Sequence, residues 1–246
     1  MSISFTKTLI AGALLAVCGN ALAGDGHWSY EGKGAPEYWG SLKSEFALCK
    51  DGVNQSPIDI RPVADAPLSP LQLDYQGKVT SVINNGHTLQ ANFGEGNSLT
   101  LEGNRFELKQ VHMHAPSENT INGKQYPLEA HFVHADSDGR LAVIGIMFEE
   151  GASNSGFATL SGAYPKSASD AVPFSGELSP NAFFPKSLDY YRFSGSLTTP
   201  PCSEGVRWVV LKDVQTLSAD ELKAFTKLYP NNARPVQPVN ARIVVQ

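Results

Sequence analysis

The chain has 246 residues, of which 41% are hydrophobic and 17% charged, with a formal net charge of −5 at pH 7. That length suits one domain with a full core. A mildly acidic chain without a basic run argues against nucleic acid and anionic membranes as partners.

Residues 1–23 read as a signal peptide. Lys7 supplies a positive n-region, Leu9–Val17 is apolar but too short to span a bilayer, and Ala21-Leu22-Ala23 is an A-x-A cleavage site. The domain is therefore expected at 24–246, exported, most simply to the periplasm, with release from the cell left open. A lipoprotein signal ending at Cys18 competes, but Val17 is bulky where such signals want a small residue. No other apolar run is long enough to serve as a membrane anchor. Cys49 and Cys202 remain after processing. In an exported protein an even pair reads as a disulfide. Closing a loop of about 150 residues, it would contribute on the order of 4–5 kcal/mol in the chain-entropy model.

Gly24–Glu45 is rich in glycine and rings (His27, Trp28, Tyr30, Tyr38, Trp39), and is expected to be an irregular segment packed on the domain by those rings. Asn54–Asp59 is a polar turn feeding an extended run. From Leu71 to Phe148, short alternating runs are separated by turn signals at Asn84-Asn85-Gly86, Gly94–Asn97, Gly103-Asn104, Asn122-Gly123 and Asp138-Gly139, the spacing of an antiparallel sheet. Leu141–Phe148 is almost wholly apolar and suits a central strand. Glu150–Pro185 should be loops with a short helix around Gly156–Tyr164. Ser218-Ala219-Asp220-Glu221 is a capping box, Leu222, Phe225, Leu228 and Tyr229 follow at helical spacing, and Pro230 stops the run. The expected fold class is mainly β, with a few peripheral helices.

Gln110 to His134 carries the chemistry. Four of the six histidines fall in it. In Val111–Ala115, strand alternation puts His112 and His114 on one face, with Gln110 two residues before. In Leu128–His134, Glu129, His131 and Val133 share a face. The turn residues Asn122 and Gly123 allow the two runs to lie near each other in one sheet. Three imidazoles on a sheet face make a site for a divalent metal with one position open, the arrangement of a catalytic zinc (Zn2+) rather than a closed structural one. Glu129 and Gln110 are placed to accept from the rings and orient them. An isolated histidine on a strand is ordinarily a hydrogen-bonded core or surface residue, and His134, of opposite parity to His131, is read that way. His87, after the Asn85-Gly86 turn, is a candidate accessible base whose bland reading is a bystander. Ser196–Gly205, with Thr198-Thr199-Pro200-Pro201-Cys202, is a stiff loop whose bland reading is a rigid turn stapled by Cys202.

These motifs resemble the alpha-class carbonic anhydrases, most closely their exported bacterial members. The resemblance runs from His27-Trp28-Ser29-Tyr30 to Asn232–Pro238. It includes Asn54-Gln55-Ser56-Pro57-Ile58, Asn85-Gly86-His87, Gln110–His114, Ser117-Glu118-Asn119-Thr120, Glu129–His134 and Ser196–Pro201. It implies a twisted, mostly antiparallel sheet of about ten strands, with the zinc at the bottom of a conical cleft. It also implies zinc ligation by His112, His114 and His131, supported by Gln110, Glu129 and the backbone carbonyl of Asn232. Thr198 and Glu118 would orient a zinc-bound hydroxide, and His87 would shuttle protons along waters held by Tyr30, Asn85, Gln90 and Thr199. Val133, Val143, Leu197, Val206 and Trp208 would form the apolar wall for carbon dioxide, and Cys49–Cys202 the disulfide of exported members. The implied activity is reversible hydration of carbon dioxide to bicarbonate and a proton, with an esterase side reaction and with sensitivity to sulfonamide and anion inhibitors. A water pKa near 7 at such a zinc is a figure known for this family rather than a reading of this sequence. Gln90 is a departure, since many relatives carry Asn there. A homodimer is left open.

Two alternatives stand beside this reading. His112-Met-His114-Ala-Pro-Ser-Glu118 fits half of a cupin signature, although Leu128–His134 lacks the other half. A catalytically silent binding module on the same fold is the second, although such relatives have lost zinc ligands and all three are kept here.

Overall fold

Among the described residues, alternation along the chain becomes thirteen strands: β1 Asp59–Ile60, β2 Gln72–Tyr75, β3 Val79–Asn84, β4 Leu89–Phe93, β5 Asn97–Leu101, β6 Asn104–His114, β7 Thr120–Ile121, β8 Leu128–Ala135, β9 Leu141–Glu150, β10 Val172–Pro173, β11 Tyr190–Ser196, β12 Glu204–Leu211 and β13 Gln215–Leu217. The four α-helices among these residues are short: α1 Trp39–Leu42, α2 Leu48–Asp51, α3 Ser155–Leu160 and α4 Ala219–Thr226. The computed structural model describes residues 27–62 and 64–246. The leader expected at 1–23 and the first residues of the domain lie outside the described residues.

Eleven strands form one sheet, with a spine ordered β10-β3-β4-β6-β8-β9-β12-β11. Strand β5 also pairs with β6 and carries β2, and β13 pairs with β9. β1 and β7 make a separate parallel pair. The main sheet is mostly antiparallel, but β12 and β13 both run parallel to β9. β9 is the central strand that its apolar run predicts: Ala142 to Phe148 are all buried. Parallel neighbours suit a strand covered on both faces. Ala142, Ile144, Ile146 and Phe148 join a core that also holds Phe157 of α3 and Phe225 of α4. Val143 and Met147 join a second core, on the other face, with Val206, Trp208 and Val210.

The Asn122-Gly123 turn forms as expected. Both residues have positive φ, 51° and 80°, and Ile121 and Lys124 exchange backbone hydrogen bonds at 3.0 Å each way, a tight two-residue turn. The capping box at α4 is complete: the Glu221 amide donates to Ser218 Oγ at 3.3 Å, and the Ser218 amide donates to Glu221 Oε2 at 2.7 Å. The helix ends at Thr226, before the proline. α3 ends at Leu160, short of the expected Tyr164. Tyr164 precedes Pro165, which disfavours the helical conformation there. The N-terminal segment is packed by its rings, with Trp28 and Tyr30 edge-on to the buried Trp39 at 5.3 and 5.8 Å, but it also winds into α1 and α2.

β6 contains a bulge. Leu108 pairs with His134 and Gln110 with Val133, so Lys109 is an extra residue on its strand. Phe106 and Leu108 are buried before it, Val111 and Met113 after it, and the two pairs belong to one core. The bulge thus exchanges the faces of even- and odd-numbered residues.

His134 is buried on the face away from the other histidines, as its parity predicts. Its Nδ1–H donates to the Phe132 carbonyl at 2.9 Å, so Nε2 accepts from the Tyr75 hydroxyl at 2.8 Å. Burial holds its pKa down at about 4, against backbone hydrogen bonds that pull upward. The folded state therefore takes up this proton less readily than the unfolded chain, whose histidine titrates near 6.5. Stability from this group is full above pH 6.5 and falls by on the order of 3 kcal/mol as pH drops to about 4. His134→Ala should flatten that part of the acid limb. At pH 8 it should cost about 1–3 kcal/mol, because the Tyr75 hydroxyl loses its partner. Urea unfolding as a function of pH reads both effects, and metal content should not change.

Candidate metal centre

β6 and β8 pair so that His112 lies directly opposite His131, and His114 opposite Glu129. The alternation that puts His112 and His114 on one face and the register that brings His131 beside them are both needed. One ligand nitrogen from each of the three rings lies within 4.8 Å of the others. Each ring is held through its other nitrogen. His112 Nδ1 lies 2.8 Å from Gln110 Oε1, His114 Nδ1 lies 2.7 Å from the Asn232 carbonyl, and His131 Nε2 lies 3.0 Å from Glu129 Oε1. That leaves Nε2, Nε2 and Nδ1, respectively, free to ligate.

Glu129 is itself fixed. Its carboxylate accepts from the Glu118 amide at 2.9 Å, the Asn119 amide at 2.8 Å and Asn119 Nδ2 at 2.8 Å. Burial, reinforced by the neighbouring His131 charge, holds His112 down to about 3. Burial and the charges of His131 and His112 push His114 well below the usual range, against the Asn232 carbonyl. Both rings are therefore neutral and have a lone pair to give. Burial also opposes a cationic His131, but the charge and hydrogen bond of Glu129, with the charge of Glu118, raise its pKa overall. His114 Nε2 is buried with no hydrogen-bond partner. A buried nitrogen without a hydrogen-bond partner, beside the neutral His112 and a His131 ring that faces the Glu129 carboxylate, is what a three-His metal site requires.

Glu118 is buried. Its Oε1 accepts from the Arg234 amide at 2.8 Å, and its Oε2 lies 3.3 Å from His114 Nε2 and 3.8 Å from His131 Nδ1. Burial pushes its pKa up to about 7, while His131, the Arg234 amide and the Thr198 hydroxyl pull it down.

Tyr30, Asn85, His87, Gln90 and Thr199 line one cavity of about 120 Å³ with Gln110, His112 and His114. His131, Glu118 and Thr198 are buried and outside that lining. Val143, Val206 and Trp208 are buried in the second core, with Val133 and Leu197 packed against it. The Trp208 ring sits 4.8 Å from His131. The expected water-path residues do not all present free polar groups. Asn85 Oδ1 accepts from the His87 and Thr88 amides at 2.9 Å each, so it caps the turn. Gln90 Nε2 donates to Asn92 Oδ1 at 2.7 Å, leaving the Gln90 carbonyl as its free end. Cys49 and Cys202 are bonded, as expected.

Sequence reasoning missed three contributors. The Asn232 side chain, not only its carbonyl, ties the site together, accepting from the Ala115 amide at 2.8 Å and donating to the His87 and Met113 carbonyls at 3.0 and 2.9 Å. The Arg234 guanidinium is buried and donates to Gln55 Oε1 and to the Ser56 and Cys49 carbonyls, at 2.9, 2.7 and 2.8 Å. Trp28 stacks on His87 at 3.7 Å and 11°. A buried-looking arginine beside Asn232, and a tryptophan just before Tyr30, were the available signals.

Residues 34–246 match the model of the eukaryotic-type carbonic anhydrase family. A carbonic anhydrase of Pectobacterium carotovorum is 50% identical over 94% of this chain and 96% of its own. The alpha-carbonic anhydrase of Photobacterium profundum superposes with a TM-score of 0.85 at 51% identity, covering 89% of this chain and 100% of that one. That of Thermovibrio ammonificans, solved with the inhibitor sulfanilamide, gives 0.88 at 45% identity, covering 91% and 100%. These likenesses set aside the cupin alternative. With its sheet, its three converging imidazoles and these matches along nearly its whole length, the chain belongs to the eukaryotic-type, or alpha, carbonic anhydrase family.

Proposed function

We propose that the chain hydrates carbon dioxide reversibly to bicarbonate and a proton, with a zinc ion held by His112, His114 and His131. The observation that carries this reading is the convergence of three imidazole nitrogens within 4.8 Å on rings pinned from behind. Three neutral imidazoles suit zinc and leave one position open. When bound, zinc acidifies a water molecule and supplies a nucleophile near neutral pH, as is known for this family.

The chain's own residues do the rest. Gln110, Glu129 and the Asn232 carbonyl hold the rings in the tautomers that ligation needs. Val133, Val143, Leu197, Val206 and Trp208 offer carbon dioxide an apolar surface that competes for no hydrogen bond. Glu118 and Thr198 orient the nucleophile. His87 accepts the released proton from waters held by Tyr30, Asn85, Gln90 and Thr199. Burial, against Trp28, and the nearby His27 charge keep the His87 pKa below its ordinary value, so the proton passes on to solvent readily. Sulfonamides and simple anions would compete for the open position. Residues 24–246 act as the catalytic domain after removal of 1–23, and the protein works in the periplasm or outside the cell. A disulfide suits an oxidising compartment, and no helix among the described residues is long and apolar enough to cross a membrane.

Carbon dioxide hydration by the purified protein, with zinc measured on the same sample, tests the reading. One zinc per chain and activity lost on chelation are expected; zinc without hydration would leave the silent-module alternative. His87→Ala should lower the maximal rate in weak buffer about tenfold, less than a positioned acid–base group can supply because water still reaches the cavity. kcat/KM should change little, and added imidazole should restore part of the rate. No rate loss, or no rescue at any buffer concentration, would remove His87 from the proton path.

A further inference from the structure

The sheet face opposite the imidazoles carries a cavity of its own, about 170 Å³, between the end of α3 and α4. Leu89, Met113, Phe157 and Phe225 are its buried apolar lining. Tyr164 also lines it. The Tyr164 hydroxyl has only the Met113 sulfur as partner, at 4.0 Å. A thioether is a weak acceptor, so a strong donor is under-used in an apolar space. Burial also pushes the Tyr164 phenol far up, so it stays protonated. Of the other polar side chains at this cavity, Lys166 is exposed and can only donate, and the remaining two are committed elsewhere. The Ser161 hydroxyl donates to the Ala158 carbonyl at 3.1 Å, and the Glu221 carboxylate accepts from Ser153 Oγ at 2.6 Å and the Ser218 amide at 2.7 Å. The cavity therefore offers a donor and little to accept.

We infer that this cavity binds small neutral ring compounds with one carbonyl oxygen and no donor, the cyclic ketone class, with the oxygen on the Tyr164 hydroxyl. Its volume is close to the roughly 150 Å³ of an apolar protein cavity that takes up benzene. An alcohol of the same size can accept from Tyr164 but buries its own proton without a partner, which costs affinity. Met113 lies between His112 and His114 with opposite parity, so the occupant touches the back of the metal-binding strand. The Met113 carbonyl is fixed by Thr88 Oγ1 at 2.5 Å and Asn232 Nδ2 at 2.9 Å, so the backbone holds while the side chain yields. Binding is thus independent of metal and of the proposed catalytic roles.

The test titrates the full chain with cyclohexanone, cyclohexanol and cyclohexane, following methionine methyl resonances by NMR. The Met113 signal should move while that of Met147, in the other core, stays. Cyclohexanone should bind roughly 2- to 12-fold tighter than cyclohexanol, and Tyr164→Phe should weaken the ketone by a similar factor while leaving cyclohexane unchanged. Ala224→Phe, on the exposed lip, should fill the cavity and abolish the response to all three. A Met113 signal that no probe moves, equal affinity for ketone and alcohol, or a Tyr164→Phe chain that keeps the ketone at full strength would each overturn the proposal. Should Tyr164→Phe fail to fold, the ketone-to-alcohol ratio in the native chain decides.

Discussion

His131→Ala is expected to strip most of the zinc and nearly all carbon dioxide hydration while leaving a folded chain. The three nitrogens depend on one another, since two imidazoles from a single strand do not enclose an ion. Removing a partner that merely orients a ligand costs about 10- to 100-fold in metal affinity, and loss of the ligand itself should cost more. The fold should survive because Glu129 keeps three other donors, the Glu118 amide and both nitrogens of Asn119. His131 is nevertheless buried beside Trp208, so a cavity penalty of about 2–4 kcal/mol is expected. Elemental analysis together with circular dichroism separates the two effects. A folded variant with full zinc would mean that the ligand set is wrong. Gln110→Ala, which removes only the acceptor at His112 Nδ1, should lie between this variant and the native chain.

The second large effect is expected at Thr198. Burial, only partly offset by His131, the Arg234 amide and the Thr198 hydroxyl, leaves Glu118 half-protonated near neutral pH, at about 7. A divalent cation beside it favours the ionised form, which can only accept. The Thr198 hydroxyl then donates to Glu118, and its oxygen is left to accept from whatever occupies the open position. A group that brings a proton there is welcomed, and a bare anion oxygen is not. A charge-assisted buried hydrogen bond contributes about 1.5–3 kcal/mol, or roughly 10- to 150-fold in rate if all of it acts on the transition state. Thr198→Ala should therefore lower kcat/KM by one to two decades with zinc retained, weaken primary sulfonamides and strengthen simple anions. Thr198→Ser should do much less. Equal losses for the two variants, or an unchanged order of sulfonamides against anions, would sink this account of the pair while leaving the hydration activity standing.

Local patterns in the sequence carried the site a long way. His112 and His114 are on one face because strands alternate, His131 is in phase with them, and the Asn122-Gly123 turn and the Ser218 capping box form from the residues that spell them. What was hidden is non-local. Nothing near β9 announces that β12 and β13 will lie parallel to it. The Arg234 guanidinium reaches Gln55, Ser56 and Cys49, all far away in the chain. The stacking of Trp28 on His87 joins two segments that only the folded domain brings together. The resemblance to a family supplied roles for Thr198, Glu118 and His87 that alternation could not. It did not show that Gln90 would turn its amide nitrogen to Asn92, because that depends on a neighbour two residues along the same strand. Pro165 keeps Tyr164 out of the helical conformation, so the exclusion of Tyr164 from α3 is readable in the sequence.

The bulge at Lys109 was also legible after the fact, since the buried apolar residues of β6 pass from Phe106 and Leu108 to Val111 and Met113. Its consequence concerns length as well as identity. Lys109 is exposed, and many side chains would serve in its place. Because Lys109 is the extra residue of the bulge, dropping it would leave Leu108 opposite His134 and Gln110 opposite Val133, with Phe106, Leu108, Val111 and Met113 in plain alternation and His112 and His114 still on the metal side. A site of this kind drifts freely under point substitution at that position and tolerates the loss of that one residue, so natural variation there can change both the letter and the number.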